Sequence, residues 1–171
     1  VSSAASDVYK RQAVKSANRS TVVMVDNCYG EFVDTVEPTN AGADLIAGSL
    51  IKNPGGGLAY TGGYIAGRKD LVELCADRLT APGLGKHVGA SLGHNRQMIQ
   101  GFYMAPHTVA ESLKGAVFTA GLFERLGFET SPASTARRSD IIQAVKFEDP
   151  EKLKAFCRSI QAAAPVDSFV T

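Results

Sequence analysis

The sequence predicts an α/β protein, and three features of its residue pattern support that class. The run TVVMVD (residues 21–26) is β-branched and ends in an acid, which is typical of a strand buried on both faces in a parallel sheet. Apolar residues with the spacing of a helix face begin at Leu71, after the predicted strands. An apolar fraction of 44% over 171 residues can fill a hydrophobic core, which excludes disorder as the main state.

Three short strands are predicted in the first half of the chain. The first covers residues 21–26, the second residues 44–48 (DLIAG) and the third residues 63–67 (GYIAG). Residues 27–42 contain glycines and a proline without a long helical period, so we expect an irregular connection there. A turn-rich passage, NPGGG (residues 53–57), separates the second strand from the third.

Two helices are predicted after the third strand. The first begins at Asp70, which is placed to cap its first amides, carries Arg78 in its last turn and ends before Pro82. Its apolar positions are Leu71, Leu74, Cys75 and Leu79. The second helix is expected to break near Pro106, to resume, and to stop at Gly127 as the residue after the C-cap. We interpret this second helix as a connector.

The last part of the chain predicts a second α/β unit. Residues 140–147 are strand-like, and a helix follows with Asp149 as N-cap and Pro150 as its first residue. A further strand begins near residue 170, where the chain stops, so we expect this unit to be truncated. Residues 1–12 are polar and aperiodic, and we interpret them as a non-native leader outside the fold.

Composition excludes several classes of partner. The chain has 18 Lys plus Arg against 17 Asp plus Glu, a formal net charge of +1 that predicts neither nucleic-acid nor membrane binding. Its apolar runs are far shorter than the roughly 20 residues of a membrane-spanning helix. The three cysteines (Cys28, Cys75 and Cys157) are widely spaced and odd in number, and no secretory signal is visible, so we predict a cytoplasmic protein.

The candidate site combines Asp26, Ser49 and Lys52, which follow two predicted strands. Ligands of open α/β sheets bind outside the carboxyl ends of the strands, so these side chains can face one ligand. A lysine among apolar neighbours such as Leu50 and Ile51 would have a lowered pKa and could form a Schiff base. An opposing carboxylate suits a cationic ring nitrogen, as in pyridoxal phosphate enzymes, and Ser49 is placed to donate to the cofactor's phosphate.

Other residues near this site have plainer interpretations. The glycines at 55–57 would let the backbone pass close to a ligand. Tyr29 and Tyr60 either border a cofactor or pack as aromatics, and Cys28 is better interpreted as a small apolar residue than as a nucleophile. The histidines (His87, His94 and His107) lack the short spacings of metal ligands, so no metal site is predicted. The NPGGG run lacks the order of a nucleotide phosphate loop.

Four runs of sequence resemble a known enzyme family. They are VVMVDNCYGEF (22–32), GADLIAGSLIKNPGGGLAYTGGYIAGR (42–68), RLTAPGLG (78–85) and QGFYMAPH (100–107). The chain closely resembles the methionine gamma-lyase-like, aluminium-resistance-protein family, from about residue 13 to its end. That family belongs to the Cys/Met-metabolism group of fold type I enzymes, which depend on pyridoxal phosphate.

The resemblance implies roles for the candidate residues. Asp26 corresponds to the aspartate that pairs with the pyridine nitrogen, Lys52 to the lysine that bears the cofactor, and Ser49 to the serine that contacts its phosphate. Residues 13–127 would form the later part of a large domain with a mainly parallel sheet, and residues 128–171 the start of a smaller α/β domain. The phosphate loop, the ring-stacking aromatic and the carboxylate-binding arginine would lie outside the chain. The group also implies a homodimer or homotetramer.

The function implied is that of a pyridoxal phosphate-dependent carbon–sulfur lyase acting on a sulfur-containing amino acid. The chain would be the central part of that enzyme and inactive alone. A transaminase or gamma-synthase on the same scaffold is one alternative. A non-catalytic stress-response binding protein is another.

Overall fold

The computed structural model describes residues 4–89 and 91–169, and it divides into two compact units. The first unit comprises Val1–Ala116 with Arg137–Ile142, and the second comprises Val117–Ala136 with Gln143–Thr171. Both units combine helix and strand, which confirms the predicted α/β class. Within the described ranges, no helix has the length and apolarity to cross a bilayer.

The first unit contains a three-stranded sheet in the order β1 (Met24–Asp26), β2 (Leu45–Ser49) and β3 (Gly63–Gly67). All three strands were predicted, and β1 and β2 are parallel as expected. The pairing of β2 with β3 is antiparallel, so the prediction of a mainly parallel sheet is wrong for this part of the chain. Residues 50–62 contain only turns and a 3-10 helix rather than a crossover helix, and the chain therefore returns in the opposite direction.

Burial in this sheet is concentrated in β2. Leu45 and Ile46 are buried, whereas Met24 in β1 is 56% exposed and Asp26 is also exposed. The prediction that the first strand is buried on both faces is therefore wrong. Among the described residues β1 is a three-residue edge strand that pairs only with β2, so its outer side has no strand to cover it.

A helix, α1 (Ala4–Ala17), precedes the sheet. The prediction that residues 1–12 lie outside the fold is wrong for residues 4–12, because they are helical. Residues 1–3 lie outside the described ranges. The helix is held to the sheet by Lys15, whose Nζ lies 2.7 Å from the Asp44 carboxylate. The Arg11 side chain also lies against Gly42. The non-native origin of this segment stays a prediction.

Helix α2 (Lys69–Leu79) confirms the helix predicted to end before Pro82, with Arg78 in its last turn. The predicted capping role of Asp70 is wrong. Arg68 occupies the N-cap position without a side-chain cap, which places Asp70 inside the first turn. Its carboxylate instead accepts a hydrogen bond from the Arg68 guanidinium at 2.7 Å. An acid in the first turn still interacts favourably with the helix dipole.

Helix α3 (Asn95–Arg125) is continuous, so the break predicted near Pro106 does not occur. Proline removes only one N–H donor from the helix, and the residues around it are fixed by packing, since Ala105 and Val109 are fully buried. A short 3-10 helix, Gly85–His87, lies between α2 and α3.

The predicted end of α3 at Gly127 is confirmed. Gly127 has a φ of 86°, and its N–H donates to the Glu124 carbonyl at 3.0 Å. The Phe128 N–H donates to the Phe123 carbonyl, also at 3.0 Å. These two bonds form a Schellman motif, and the Phe123 and Phe128 rings meet edge to face across it.

The second unit also contains β4 (Glu129–Ser131), β5 (Ala144–Lys146) and α4 (Pro150–Ala163), with β4 and β5 antiparallel. The strand predicted over residues 140–147 is confirmed only at β5, and β4 was not predicted. Asp149 caps α4 as expected, because its carboxylate accepts from the Glu151 N–H at 2.8 Å. Residues 164–169 form bends and turns, and the strand start predicted at residue 170 lies outside the described ranges.

Candidate functional site

Asp26 and Ser49 lie at the carboxyl ends of two adjacent parallel strands. Asp26 is the last residue of β1 and stands opposite Ala47 in β2, two residues before Ser49. Lys52 follows in a tight turn, where its N–H donates to the Ser49 carbonyl at 3.3 Å. The structure thus brings the three predicted site residues to one edge of the sheet.

The Asp26 carboxylate is ionised near neutral pH. Its Oδ1 accepts a hydrogen bond from the Cys28 N–H at 3.0 Å, and this bond is the main reason that the Asp26 pKa lies below its ordinary value. The nearby Lys52 ammonium lowers the Asp26 pKa further. Burial raises the pKa of the Cys28 thiol, which favours the neutral thiol over a reactive thiolate.

Lys52 is a charged amine rather than a desolvated one. Its Nζ lies 4.1 Å from the centroid of the Tyr29 ring. A hydrogen bond with the Tyr29 side chain is the main cause that raises the Lys52 pKa. The expectation that apolar neighbours lower this pKa is wrong, because Ile51 is 55% exposed and does not enclose the amine. Asp26 adds to the stabilisation of the ammonium. Lys52 must therefore lose a proton before it can act as a nucleophile or base.

Of the two tyrosines considered from the sequence, only Tyr29 is found in contact with a predicted site residue. It lies in the turn after β1 with a left-handed φ of 73°, and its carbonyl accepts from the Ile141 N–H at 3.3 Å. Tyr60 is 75% exposed and meets the His94 ring edge to face at 5.9 Å. Tyr29 thus lies against the Lys52 amine, and Tyr60 packs on another aromatic ring.

A buried polar network beneath the site was missed by sequence reasoning. Glu31 is only 4% exposed, and its carboxylate accepts from the Tyr64 hydroxyl at 2.8 Å. The Glu31 carbonyl accepts from the side-chain amide of buried Asn53 at 3.0 Å. Burial raises the pKa of Glu31, and the same environment raises that of Tyr64. Because Asn53 directly follows Lys52, this network ties the lysine turn to the turn after β1.

Two further contacts hold the turn after β1. The side-chain amide of Asn27 donates to Glu37 at 2.9 Å, and the Phe32 N–H donates to the other oxygen of the same carboxylate at 3.1 Å. Glu37 therefore bridges the two ends of the turn that carries Tyr29. The glutamate and asparagine types alone gave little signal, since both are common on exposed loops.

The glycines after Lys52 approach a helix rather than a ligand. A Cβ atom on Gly101 of α3 would collide with the backbone of Gly55, and one on Gly56 would collide with the Gly101 carbonyl. The close backbone approach at Gly55 and Gly56 is thus made to α3, and the predicted approach to a ligand stays a prediction. In contrast, Gly57 has open space around its Cβ position.

A separate apolar cavity of about 330 Å³ lies beside the buried network. Its lining includes Phe32, Leu50, Pro54 and Phe102, together with Glu31 and Tyr64. Neither Asp26 nor Lys52 lines it. The predicted site is therefore distinct from this cavity.

The donor set at the sheet edge fits pyridoxal phosphate. An ionised carboxylate matches a protonated pyridine nitrogen, a serine hydroxyl can donate to phosphate, and a primary amine can condense with an aldehyde. Asp26, Ser49 and Lys52 supply these groups at the carboxyl ends of β1 and β2 and in the turn that follows β2.

Comparison with known proteins gives consistent matches. A family model described as methionine gamma-lyase matches residues 5–171. The Bacillus subtilis (strain 168) protein YnbB is 56% identical over 158 residues, which cover 92% of this chain and 38% of that protein. The solved structure of a carbon-sulfur lyase involved in aluminium resistance from Clostridium novyi NT is 50% identical, with a TM-score of 0.94 over 98% of this chain and 40% of that one.

A shorter relative from Lactobacillus delbrueckii subsp. bulgaricus, a 33.9 kDa protein encoded in the glnA 5′ region, is 50% identical over 157 residues. The match covers 92% of this chain and 51% of that protein. This chain therefore spans between about two fifths and one half of the length of the relatives it matches.

Proposed function

Because the chain belongs to the methionine gamma-lyase family, we propose that it is part of a pyridoxal phosphate-dependent carbon–sulfur lyase whose cofactor is attached to Lys52. The family resemblance inferred from the sequence is thereby confirmed. The observation that carries the proposal is the meeting of Asp26, Ser49 and Lys52 at one edge of the sheet. The name of the C. novyi relative supports lyase chemistry on a carbon–sulfur bond.

Asp26 would hold a proton on the cofactor's ring nitrogen. The cofactor, when bound, supplies an electron sink for charge that develops on the substrate's α-carbon. A carboxylate can keep the ring nitrogen protonated only if it stays ionised itself. The hydrogen bond from the Cys28 N–H, which lowers the Asp26 pKa, provides that condition.

Lys52 would have two tasks. Its ε-amine would first bear the cofactor and, once displaced by the substrate's amine, would remove the α-proton. Both tasks need the neutral amine, whereas Tyr29 and Asp26 stabilise the ammonium. The proton on Nζ therefore has to leave before the amine can bear the cofactor. The amine that the substrate displaces would be neutral, and it would become the ammonium by accepting the α-proton.

Ser49 would orient the phosphate. Its Oγ accepts a hydrogen bond from the Ile51 N–H at 3.4 Å, which directs the oxygen toward the turn and leaves the hydroxyl hydrogen available to donate. A phosphate held at the strand end would fix the cofactor at the edge of the sheet that carries Asp26 and Lys52. The proposal for Ser49 is supported by its place at the end of β2, three residues before Lys52.

The substrates would be a sulfur-containing amino acid and water, with a thiol, a keto acid and ammonia as products. We further propose a homodimer or homotetramer located in the cytoplasm, as expected for enzymes of this group. No nucleic-acid or membrane partner is proposed, since the formal net charge is only +1.

The attachment is tested on the protein at full length by borohydride reduction followed by peptide mass analysis. We expect a visible absorption band that disappears on reduction and a phosphopyridoxyl mass on the peptide that contains Lys52. The Lys52→Ala variant should lack both, while the control variant Lys69→Ala, at a highly exposed position on α2, should keep both. A colourless protein, or a label on another lysine, would refute the proposal.

The reaction type is tested by product analysis with sulfur-containing amino acids. Release of thiol together with keto acid supports the lyase. Transfer of the amino group to an added keto acid without thiol release would identify a transaminase instead. Full function of Lys52→Ala in a colourless protein would identify a non-catalytic binding role.

A further inference from the structure

The ammonium of Lys52 rests on the face of an aromatic ring. Its Nζ lies 4.1 Å from the centroid of Tyr29, inside the roughly 6 Å range of cation–π contacts. Lys52 itself is partly exposed, so water competes for the ammonium. The ring contact is therefore expected to act mainly by fixing where the amine sits and by favouring its charged form.

The backbone of Tyr29 is held in an uncommon conformation. Its φ of 73° lies in the left-handed region, which bulky residues seldom adopt and which persists only where surrounding contacts impose it. Those contacts are present on both sides of the residue. The Cys28 N–H donates to Asp26, the Gly30 N–H donates to the Asn27 carbonyl, and the Tyr29 carbonyl accepts from Ile141.

We propose that Tyr29 is a positioning residue for Lys52: its ring holds the ε-ammonium at the edge of the sheet where Asp26 lies. This role of Tyr29 matters for function only if Lys52 is the cofactor lysine, as proposed above. The contact itself is a property of the protein alone and is measurable without cofactor. The two statements can therefore fail separately.

Three titratable groups act on the Lys52 amine, and their directions agree. A hydrogen bond with the Tyr29 side chain raises the Lys52 pKa most, and the charges of Cys28 and Asp26 also raise it. The Asp26 carboxylate is anchored by the Cys28 N–H, so it stays in place when the tyrosine is changed. Removal of the Tyr29 ring and its hydroxyl together should therefore weaken, but not abolish, the preference for the charged amine.

The test is competitive labelling of lysines with trace acetic anhydride as a function of pH, on the full-length protein freed of cofactor. Only the neutral amine attacks the anhydride, so the rate for the Lys52 peptide reports its protonation and accessibility. Tyr29→Asn removes the ring while suiting the left-handed backbone, and Tyr29→Leu is a second ring-free variant. Tyr29→Phe keeps the ring, and Tyr103→Leu, at an 83% exposed position on α3, is the matched control. Lys69 serves as the internal reference.

We expect the ring-free variants to shift the Lys52 labelling profile to lower pH and to raise its rate at pH 8 by about two- to five-fold relative to Lys69. Tyr29→Phe keeps the ring but loses the hydroxyl, so its profile should lie between those of the wild type and the ring-free variants, and Tyr103→Leu should follow the wild type. Superimposable profiles for the wild type and both ring-free variants would overturn the inference. A Tyr29→Phe profile that follows Tyr29→Asn would assign the effect to the hydroxyl and also overturn the ring contact.

Reductive labelling with pyridoxal phosphate separates this inference from the proposed function. If the wild type carries the phosphopyridoxyl group on a lysine other than Lys52, the proposed function fails, whereas the acetylation profiles still decide whether Tyr29 holds the amine. If Lys52 is labelled and the acetylation profiles coincide, only the role of Tyr29 fails.

Discussion

The backbone of Gly101 in α3 packs directly on that of Gly55, in the short helix that follows Lys52, and the Gly55 carbonyl occupies the space that a Cβ atom on Gly101 would need. This contact makes α3 a support for the turn that carries the proposed cofactor lysine. The Thr108 hydroxyl adds a weaker tie to the Gly56 carbonyl at 3.4 Å. The position of Lys52 is thus linked to a helix about fifty residues later in the chain.

A methyl group at Gly101 should therefore be strongly destabilising. Gly101→Ala is expected to lower the free energy of unfolding by about 2 kcal/mol or more, because the two backbones must separate. Gly115→Ala on the same helix is the matched control, since a Cβ there meets no atom within 4 Å. That change should stabilise the protein by about 0.5 to 1 kcal/mol through helix propensity. Denaturant titrations of both variants measure the difference, and equal effects would contradict the packing argument.

Loss of the Asp26 charge should impair catalysis more than folding. Asp26→Asn keeps the shape of the side chain but cannot hold a proton on a ring nitrogen, so turnover should fall by about 100-fold. The control Asp70→Asn removes an exposed carboxylate at the start of α2 and should leave turnover near that of the wild type. Steady-state kinetics and thermal unfolding of both variants separate the two effects. Unchanged turnover in Asp26→Asn would count against the assigned role.

Acid should weaken the protein through Asp44. Hydrogen bonds from Lys15, from the Val23 N–H and from Arg68 lower the pKa of Asp44 from 3.8 to about 2. A depressed pKa in the folded state adds stability that is complete above about pH 4 and is lost as the pH falls toward 2. The lowered pKa of Asp44 adds about 1 to 2 kcal/mol to the free energy of unfolding near neutral pH. Unfolding free energies measured between pH 2 and 6 should fall more steeply for the wild type than for Asp44→Asn; parallel curves would show that this carboxylate is not responsible.

The N-cap of α4 should contribute to the stability of the second unit. Asp149→Ala removes the acceptor for the Glu151 N–H and is expected to cost about 1 kcal/mol. Asp149→Ser retains a capping oxygen and should lose only a few tenths of that amount. Hydrogen exchange at the first turn of α4 reports the change locally. Equal protection in the alanine and serine variants would mean that the cap contributes little.

Local sequence signals predicted the elements whose cause lies within a few residues. Strand β3 was located at its observed bounds, and the capping of α4 by Asp149 and the end of α3 at Gly127 were both confirmed. Each depends on β-branched content, on a side chain that bonds a neighbouring N–H, or on a glycine's tolerance of positive φ. The same reasoning failed at Pro106, where buried neighbours in α3 override the local preference to end a helix.

For the candidate site, too, the sequence predicted some features correctly and others incorrectly. The order of Asp26, Ser49 and Lys52 along the chain was enough to predict that they meet, because parallel strands bring their carboxyl ends to one edge of a sheet. The protonation of Lys52 was predicted with the wrong sign. Its immediate neighbours are apolar, but the amine lies on Tyr29, which is more than twenty positions earlier in the chain.

The sequence by itself determined the family, the α/β class, and the residues that converge at the sheet edge, because these follow from motifs and short-range periodicity. Only the tertiary structure decided the antiparallel course of β3, the burial of Glu31 beneath the lysine turn, and the packing of Gly55 on Gly101. The physical reason is that loop paths and the environments of side chains are set by contacts between segments distant along the chain, and no local window of residues contains both partners.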